Sequence, residues 1–204
     1  MATEQQIDAL KELISIGVGS GAEILNTMLD SHVRLQVPFL KVILPNELEK
    51  EMQAHHVEQF SALNLRFKGS FLGTAELVFP SKSASKLISS LANEELQNGN
   101  DDPMRACALS EVGNIVLNAV MGSISNLLDL SLSYSVPNYV EGDIKKLLVA
   151  NKIRFDTVIL LARTRFSIET LEVDGDILLF LEVGSFDKLL TMIDAATTSL
   201  GGSK

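Results

Sequence analysis

The 204 residues include no tryptophan and two tyrosines, so a core must be built mainly from Leu, Ile, Val and Ala. A single cysteine, Cys107, excludes an internal disulfide and any multi-thiolate zinc site. The three histidines, His32, His55 and His56, form no i, i+4 pair and no Cys/His cluster, so no dedicated metal site is expected. Lys and Arg number 17 against 26 Asp and Glu. The resulting net charge of −9 argues against nucleic acid, whose phosphates need basic residues to neutralise them. No apolar run approaches the roughly 20 residues that span a bilayer. The opening Met1-Ala2-Thr3-Glu4-Gln5-Gln6 lacks the charged-then-apolar order of a signal peptide. A cytoplasmic protein without membrane insertion is the expectation.

The hydrophobic content of 46% is ample for a packed core. Residues 4 to about 29 have helical spacing at Ile7, Leu10, Leu13, Ile14, Ile16, Val18, Ile24, Leu25 and Met28. Thr3 and Gln6 form a capping-box pattern at its start. Val33–Val37 alternates like a half-buried strand, Pro38 removes a ladder donor, and Phe39–Leu44 extends or bends that strand. Pro45–Met52 reads as a short helix capped by Asn46. Phe60–Phe67 and Gly73–Phe79 read as strands around a turn at Lys68-Gly69-Ser70, and Ser81–Leu91 as a helix. Residues 92–103 are polar and rich in breakers, the best linker in the chain. A second long helix is expected over 103 to about 129, then a strand Leu132–Val136 ending at Pro137. Phe155–Arg163, Arg165–Leu171 and Ile177–Glu182 are strand-like, Phe186–Ala195 is a closing helix, and Thr197–Lys204 is a frayed tail.

The two halves, about 4–92 and 103–196, are copies. Glu12, Ser15 and Pro38 recur as Glu111, Asn114 and Pro137, each 99 residues on. Gly73 and Lys86-Leu87-Ile88 recur as Gly175 and Lys188-Leu189-Leu190, now 102 residues on. The three-residue difference belongs in loops, where insertions cost little. The expected fold is α+β: a tandem pseudo-symmetric repeat of helix–strands–helix, forming one continuous, mostly antiparallel sheet with two long helices packed on it. The chain is read as a single domain made of the two halves.

Cys107, Glu111, Asn114 and Asn118 are separated by 4, 3 and 4 residues, and so lie within roughly 60° of one another on a helix. Ala108, Leu109, Val112, Ile115, Val116 and Ala119 point elsewhere, so the polar stripe faces outward. The first helix repeats it as Asp8, Glu12, Ser15 and Gly19. A polar stripe alone is ordinary on an amphipathic helix. Its duplication, with a proline 23 residues beyond the third position in each copy, is not.

This pattern resembles the CheC/CheX/FliY family, phosphatases of phosphorylated chemotaxis response regulators. The resemblance rests on Glu111, Asn114, Pro137 and the stretch Leu109-Ser110-Glu111-Val112-Gly113-Asn114-Ile115, and in the first half on Asp8, Glu12 and Pro38. Cys107 stands where Asp or Ser is usual, and Ser15 where Asn is usual. The duplicated layout is most like CheC, because a CheX chain carries one such site. The resemblance implies hydrolysis of a phosphoaspartate on a CheY-like receiver. It implies no intrinsic cofactor, with Mg2+ held by the regulator, and a CheD-like deamidase as a further partner. Asn114 would align water and Glu111 would pair with a regulator lysine. Asp8, Glu12 and Ser15 would form a degenerate second site. Cys107, Asn118, Pro38 and Pro137 support the sites, the prolines by fixing a strand end against the helix or by touching the regulator. Two other readings stay open: a regulator- or deamidase-binding module without catalysis, and a flagellar-switch component.

Four further signals have plainer explanations. Gly17-Val18-Gly19-Ser20-Gly21-Ala22 fits a dinucleotide-binding pattern but sits within a helix, where close packing explains the glycines. Ser83-Ala84-Ser85-Lys86 matches an acylation motif without its companion Lys-Thr-Gly. Cys107 reads as a small residue at a Ser-like position. Asp174-Gly175-Asp176 reads as a hairpin turn and not as a calcium ligand pair.

Overall fold

The computed structural model describes residues 2–53, 59–91, 102–151, 153–154, 156–168 and 171–201. The linker read at 92–103 falls almost wholly outside the described residues, as do His55, His56 and Phe155. The elements run α1 (Glu4–Leu29), β1 (Val33–Ile43), α2 (Pro45–Gln53), β2 (Phe60–Gly69), β3 (Gly73–Pro80) and α3 (Ser81–Leu91). The second copy runs α4 (Asp102–Leu127), β4 (Leu132–Tyr134), β5 (Asn138–Gly142), α5 (Ile144–Ala150), β6 (Thr157–Ile168), β7 (Leu171–Glu182) and α6 (Val183–Gly201).

The strands form one seven-stranded antiparallel sheet in the order β1-β6-β7-β3-β2-β4, with β5 also on β2. The halves exchange their edges. β1 of the first copy pairs with β6 of the second, and β4 and β5 of the second pair with β2 of the first. The copies meet at the central β3–β7 ladder. The repeat is visible in the backbone too. Asp30 and Asp129, 99 residues apart, are the two non-glycine residues of positive φ, at 47° and 51°, among the described residues. Both follow the ends of their long helices, where a left-handed residue stops the helix.

One face of the sheet carries α1, α4, α3 and α6 over a core that includes Leu10, Ile14, Val116, Leu160 and Ile193. The other carries α2 and α5 over Leu48, Met52, Leu147, Leu161 and Phe180. Both faces are therefore covered, and the first six residues of β2 are all buried instead of alternating as the sequence suggests. The capping box forms as expected: Gln6 N–H donates to Thr3 Oγ1 at 3.2 Å and Thr3 N–H to Gln6 Oε1 at 2.9 Å. Asn46 does not cap α2. Pro45 takes the first helical position, which wastes no N–H, and Glu47 accepts from Leu44 N–H at 2.8 Å.

Asp174-Gly175-Asp176 lies inside β7, not in a turn. The sequence splits this hairpin wrongly because charged residues interrupt its apolar runs. Across the ladder Arg165 pairs with Asp174 at 3.2 Å and Arg163 with Asp176 at 3.0 Å, which accounts for the acids. The closing helix extends to Gly201, through much of the stretch expected to fray. Ala106–Leu127 is long and apolar enough for a membrane span, against the expectation from the sequence; in this fold its buried positions pack on α1 and the sheet.

The long helices run antiparallel and touch through glycine. A Cβ on Gly17 would lie 2.5 Å from Val120 Cα and 2.9 Å from Ala119 O, and one on Gly21 3.4 Å from Val116 Cα. Gly19 meets nothing within 4 Å. Close packing thus explains Gly17 and Gly21 of the α1 pattern, but not Gly19. We expect Gly17→Ala to destabilise by about 1–3 kcal/mol, since backbone must move. Gly19→Ala should gain up to about 1 kcal/mol from helix propensity. Urea melts of both variants check this, and equal effects would refute the crossing.

One acid lies deep in the sheet. Glu76 accepts from Asn64 Nδ2 at 2.6 Å and Asn151 Nδ2 at 2.8 Å through Oε1, while Oε2 is buried without a partner. Burial pushes its carboxyl up to about 7 from an ordinary 4.5, against the opposing pull of the two carboxamides. Across that window the folded form keeps a proton the unfolded chain has lost. Stability contributed by the neutral acid is therefore lost as pH rises, and levels off beyond the folded value. Glu76→Gln should gain about 3 kcal/mol relative to the parent between pH 4 and pH 8. Denaturant melts across that range that showed a constant difference would contradict this.

Candidate functional site

The crossing decides which way the polar stripes face. At 100° per residue Glu12 and Ser15 lie roughly 140–160° around α1 from Gly17, and Glu111 and Asn114 the same angle from Val116 on α4. Each stripe thus turns away from the partner helix, toward its own flank of the molecule. On α4, Leu109, Val112, Val116 and Val120 are buried; Cys107, Glu111 and Asn118 are exposed and Asn114 is half-buried. Ala108, Ile115 and Ala119 are half-buried. On α1, Asp8, Glu12 and Gly19 are exposed and Ser15 is half-buried. Ile16, Ile24 and Met28, counted in the helical pattern of α1, are 44%, 51% and 43% exposed, so they lie on its outer side.

Gly113 sets the height of the second stripe. Its missing Cβ would sit 2.7 Å from Leu63 Cδ2 and 2.9 Å from Leu63 Cβ, so glycine lets α4 settle on β2 beside Asn114. Asn114 is held by its neighbour one turn on. Asn118 Nδ2 donates to Asn114 Oδ1 at 2.6 Å and to the Asn114 carbonyl at 2.8 Å. That leaves both Nδ2 protons of Asn114 and the second lone pair of its Oδ1 for other partners.

The prolines interrupt their strands instead of ending them. The register of β1 on β6 shifts between Gln36 and Phe39, around exposed Pro38, and the strand then continues to Ile43. In the second copy the ladder on β2 breaks between Tyr134 and Asn138, around half-buried Pro137, and resumes as β5. A residue without an N–H is tolerated at such a bulge. Two anchoring contacts escape the sequence because each joins a helix to a strand that periodicity does not place beside it. Lys11 Nζ donates to the Pro38 carbonyl at 3.1 Å, tying α1 to the bulge. Ser125 and Tyr134 share a hydroxyl hydrogen bond of 3.0 Å, tying α4 to β4.

Chemically, α4 offers a carboxylate and a positioned carboxamide on an open face, and α1 offers a carboxylate and a hydroxyl. Among the described residues no group of three or more His, Cys, Asp or Glu could hold a metal ion.

No family model matches the chain. Over 137 residues it is 28% identical to CheC of Bacillus subtilis (strain 168), a CheY-P phosphatase. That match covers 66% of this chain and 65% of CheC, slightly under two thirds of the relative. Among solved structures it is similar to FliY of Thermotoga maritima, with a TM-score of 0.77 at 15% identity over 96% of this chain and 99% of that one. It is also similar to a chain of the CheX–CheY–BeF3–Mg2+ complex from Borrelia burgdorferi, with a TM-score of 0.51 at 16% identity over 84% of this chain and 99% of that one. At such identities the structural likenesses establish the fold.

Proposed function

We propose, for a chain with the CheC/CheX/FliY fold, that it accelerates hydrolysis of the phosphoaspartate on a cytoplasmic CheY-like response regulator. α4 carries the competent site and α1 a degenerate one. The observation that carries this reading is the pairing on one open helix face of Glu111 with an Asn114 carboxamide fixed by Asn118. The likeness to CheC supports the activity, and the solved CheX–CheY complex supports the kind of partner.

Acyl-phosphate hydrolysis asks little covalent work of the protein; position and charge matter most. The Asn114 Oδ1 accepts from a water and its Nδ2 donates to a phosphoryl oxygen, holding the water in line with the bond to aspartate. The water oxygen bonds to phosphorus as the aspartyl oxygen leaves, its proton passes to the released phosphate, and the regulator's carboxylate is restored. Glu111 pairs with a lysine of the regulator and orients the docked surface. A Mg2+ in the regulator's acidic pocket would offset the phosphoryl charge. Ser15 has one short hydroxyl in place of the two-ended amide, so Glu12 and Asp8 contribute docking without alignment.

A binding module without hydrolysis, for a regulator or a CheD-like deamidase, is the second reading. It is favoured by Ser15, which stands where the second copy has Asn114. Single-turnover decay of a phosphorylated receiver separates the two. Asn114→Ala should lose about 100-fold of the acceleration, the scale of a lost transition-state hydrogen bond. Ser15→Ala should stay within about twofold, and both should change stability by less than about 0.5 kcal/mol. Equal losses in the two variants would contradict the assignment. Glu111→Ala should raise the half-saturating receiver concentration about tenfold, roughly 1.4 kcal/mol of docking, and leave the saturated rate nearly unchanged. A loss confined to the saturated rate would remove Glu111 from docking.

A further inference from the structure

We propose that the face of the sheet opposite α1 and α4 carries a second binding site, for a small organic phosphate, in the cavity framed by Arg66, Lys68 and Arg154. The cavity measures about 570 Å3, within the ordinary range for small-ligand sites. Leu63, Leu65 and Phe67 of β2 belong to the core beneath the long helices, so by alternation Asn64, Arg66 and Lys68 project from the other side. Arg154 follows α5 on that same side.

Charge separates this cavity from its surroundings. In a chain of net charge −9, the described residues lining this pocket include three cations and one acid, Glu182. Arg154 is ion-paired with Asp156 at 3.0 Å, but neither Arg66 nor Lys68 is ion-paired among the described residues. Such unspent guanidinium and ammonium groups suit a phosphate. Leu72 and Phe180 form an apolar wall that suits an organic body.

The floor is prearranged. Asn151 lines the cavity, and its carboxamide is held on three sides: it donates to Glu76 Oε1 at 2.8 Å and to the Leu147 carbonyl at 3.0 Å, and accepts from Asn64 at 3.2 Å. Glu76 is almost wholly buried and keeps one oxygen without a partner, so the cavity rests on a polar network that is not internally complete. The buried network costs stability, and a role in shaping a ligand site gives it a purpose.

The test is calorimetric titration of the full chain at low salt with two probes, adenosine monophosphate and inorganic phosphate. Adenosine monophosphate should bind saturably, more tightly than phosphate, and weaken at least tenfold in Arg66→Gln/Lys68→Gln. Arg154→Gln, made separately, should weaken it too, and thermal melts confirm that each variant folds. Asn114→Ala should bind as the parent does, which keeps this site distinct from the helix face. No saturable binding of either probe, or unchanged affinity in the folded double variant, would overturn the site. Equal affinity for the two probes would overturn the organic-phosphate assignment.

Discussion

The exchange of edge strands between the two copies is the constraint on which the rest depends. β1 belongs to the first copy by sequence and to the second by hydrogen bonding, and β4 and β5 make the reverse exchange. Neither copy closes its own sheet, so the two halves are locked into one hydrogen-bonded surface. The long helices lie on it antiparallel and in backbone contact at Gly17. Close-packed helices do not rotate freely, because any turn drives a side chain into the neighbouring backbone. The outward aim of both polar stripes follows from that contact.

Within this symmetric frame the two copies differ along their polar stripes. The second helix keeps an amide with a neighbouring amide to steady it; the first has a hydroxyl at the same place and open space at Gly19. The strands diverge too. The β1 bulge stays within one long strand anchored by Lys11, whereas the corresponding stretch is split into β4 and β5 and leans on α4 through Tyr134. The stripes and bulges can differ in this way because the shared sheet and helix crossing do not depend on them.

Local signals in the sequence were the readable ones. The capping box at Thr3, the two long helices and the 99-residue repeat need only neighbouring residues or plain comparison of the halves. The outward stripe followed from helical spacing alone. Tertiary context hid the rest. β2 looks half-buried until α2 and α5 cover the second face of the sheet. Asp174 and Asp176 look like a turn until Arg165 and Arg163 arrive from β6. Lys11 and Tyr134 cannot be recognised as anchors until the fold sets each against its partner on another element. Glu76 did leave a trace, a lone acid in the apolar run Ala75–Phe79, and such an acid in a buried strand is a legible warning of a polar network.

The direct measurement of the central claim is the lifetime of a phosphorylated CheY-like receiver with a substoichiometric amount of the chain present. The lifetime should shorten, and each molecule should turn over many receivers. A lifetime unchanged at saturating concentration, with the receiver demonstrably bound, would contradict that claim and leave the α4 face a docking surface without chemistry.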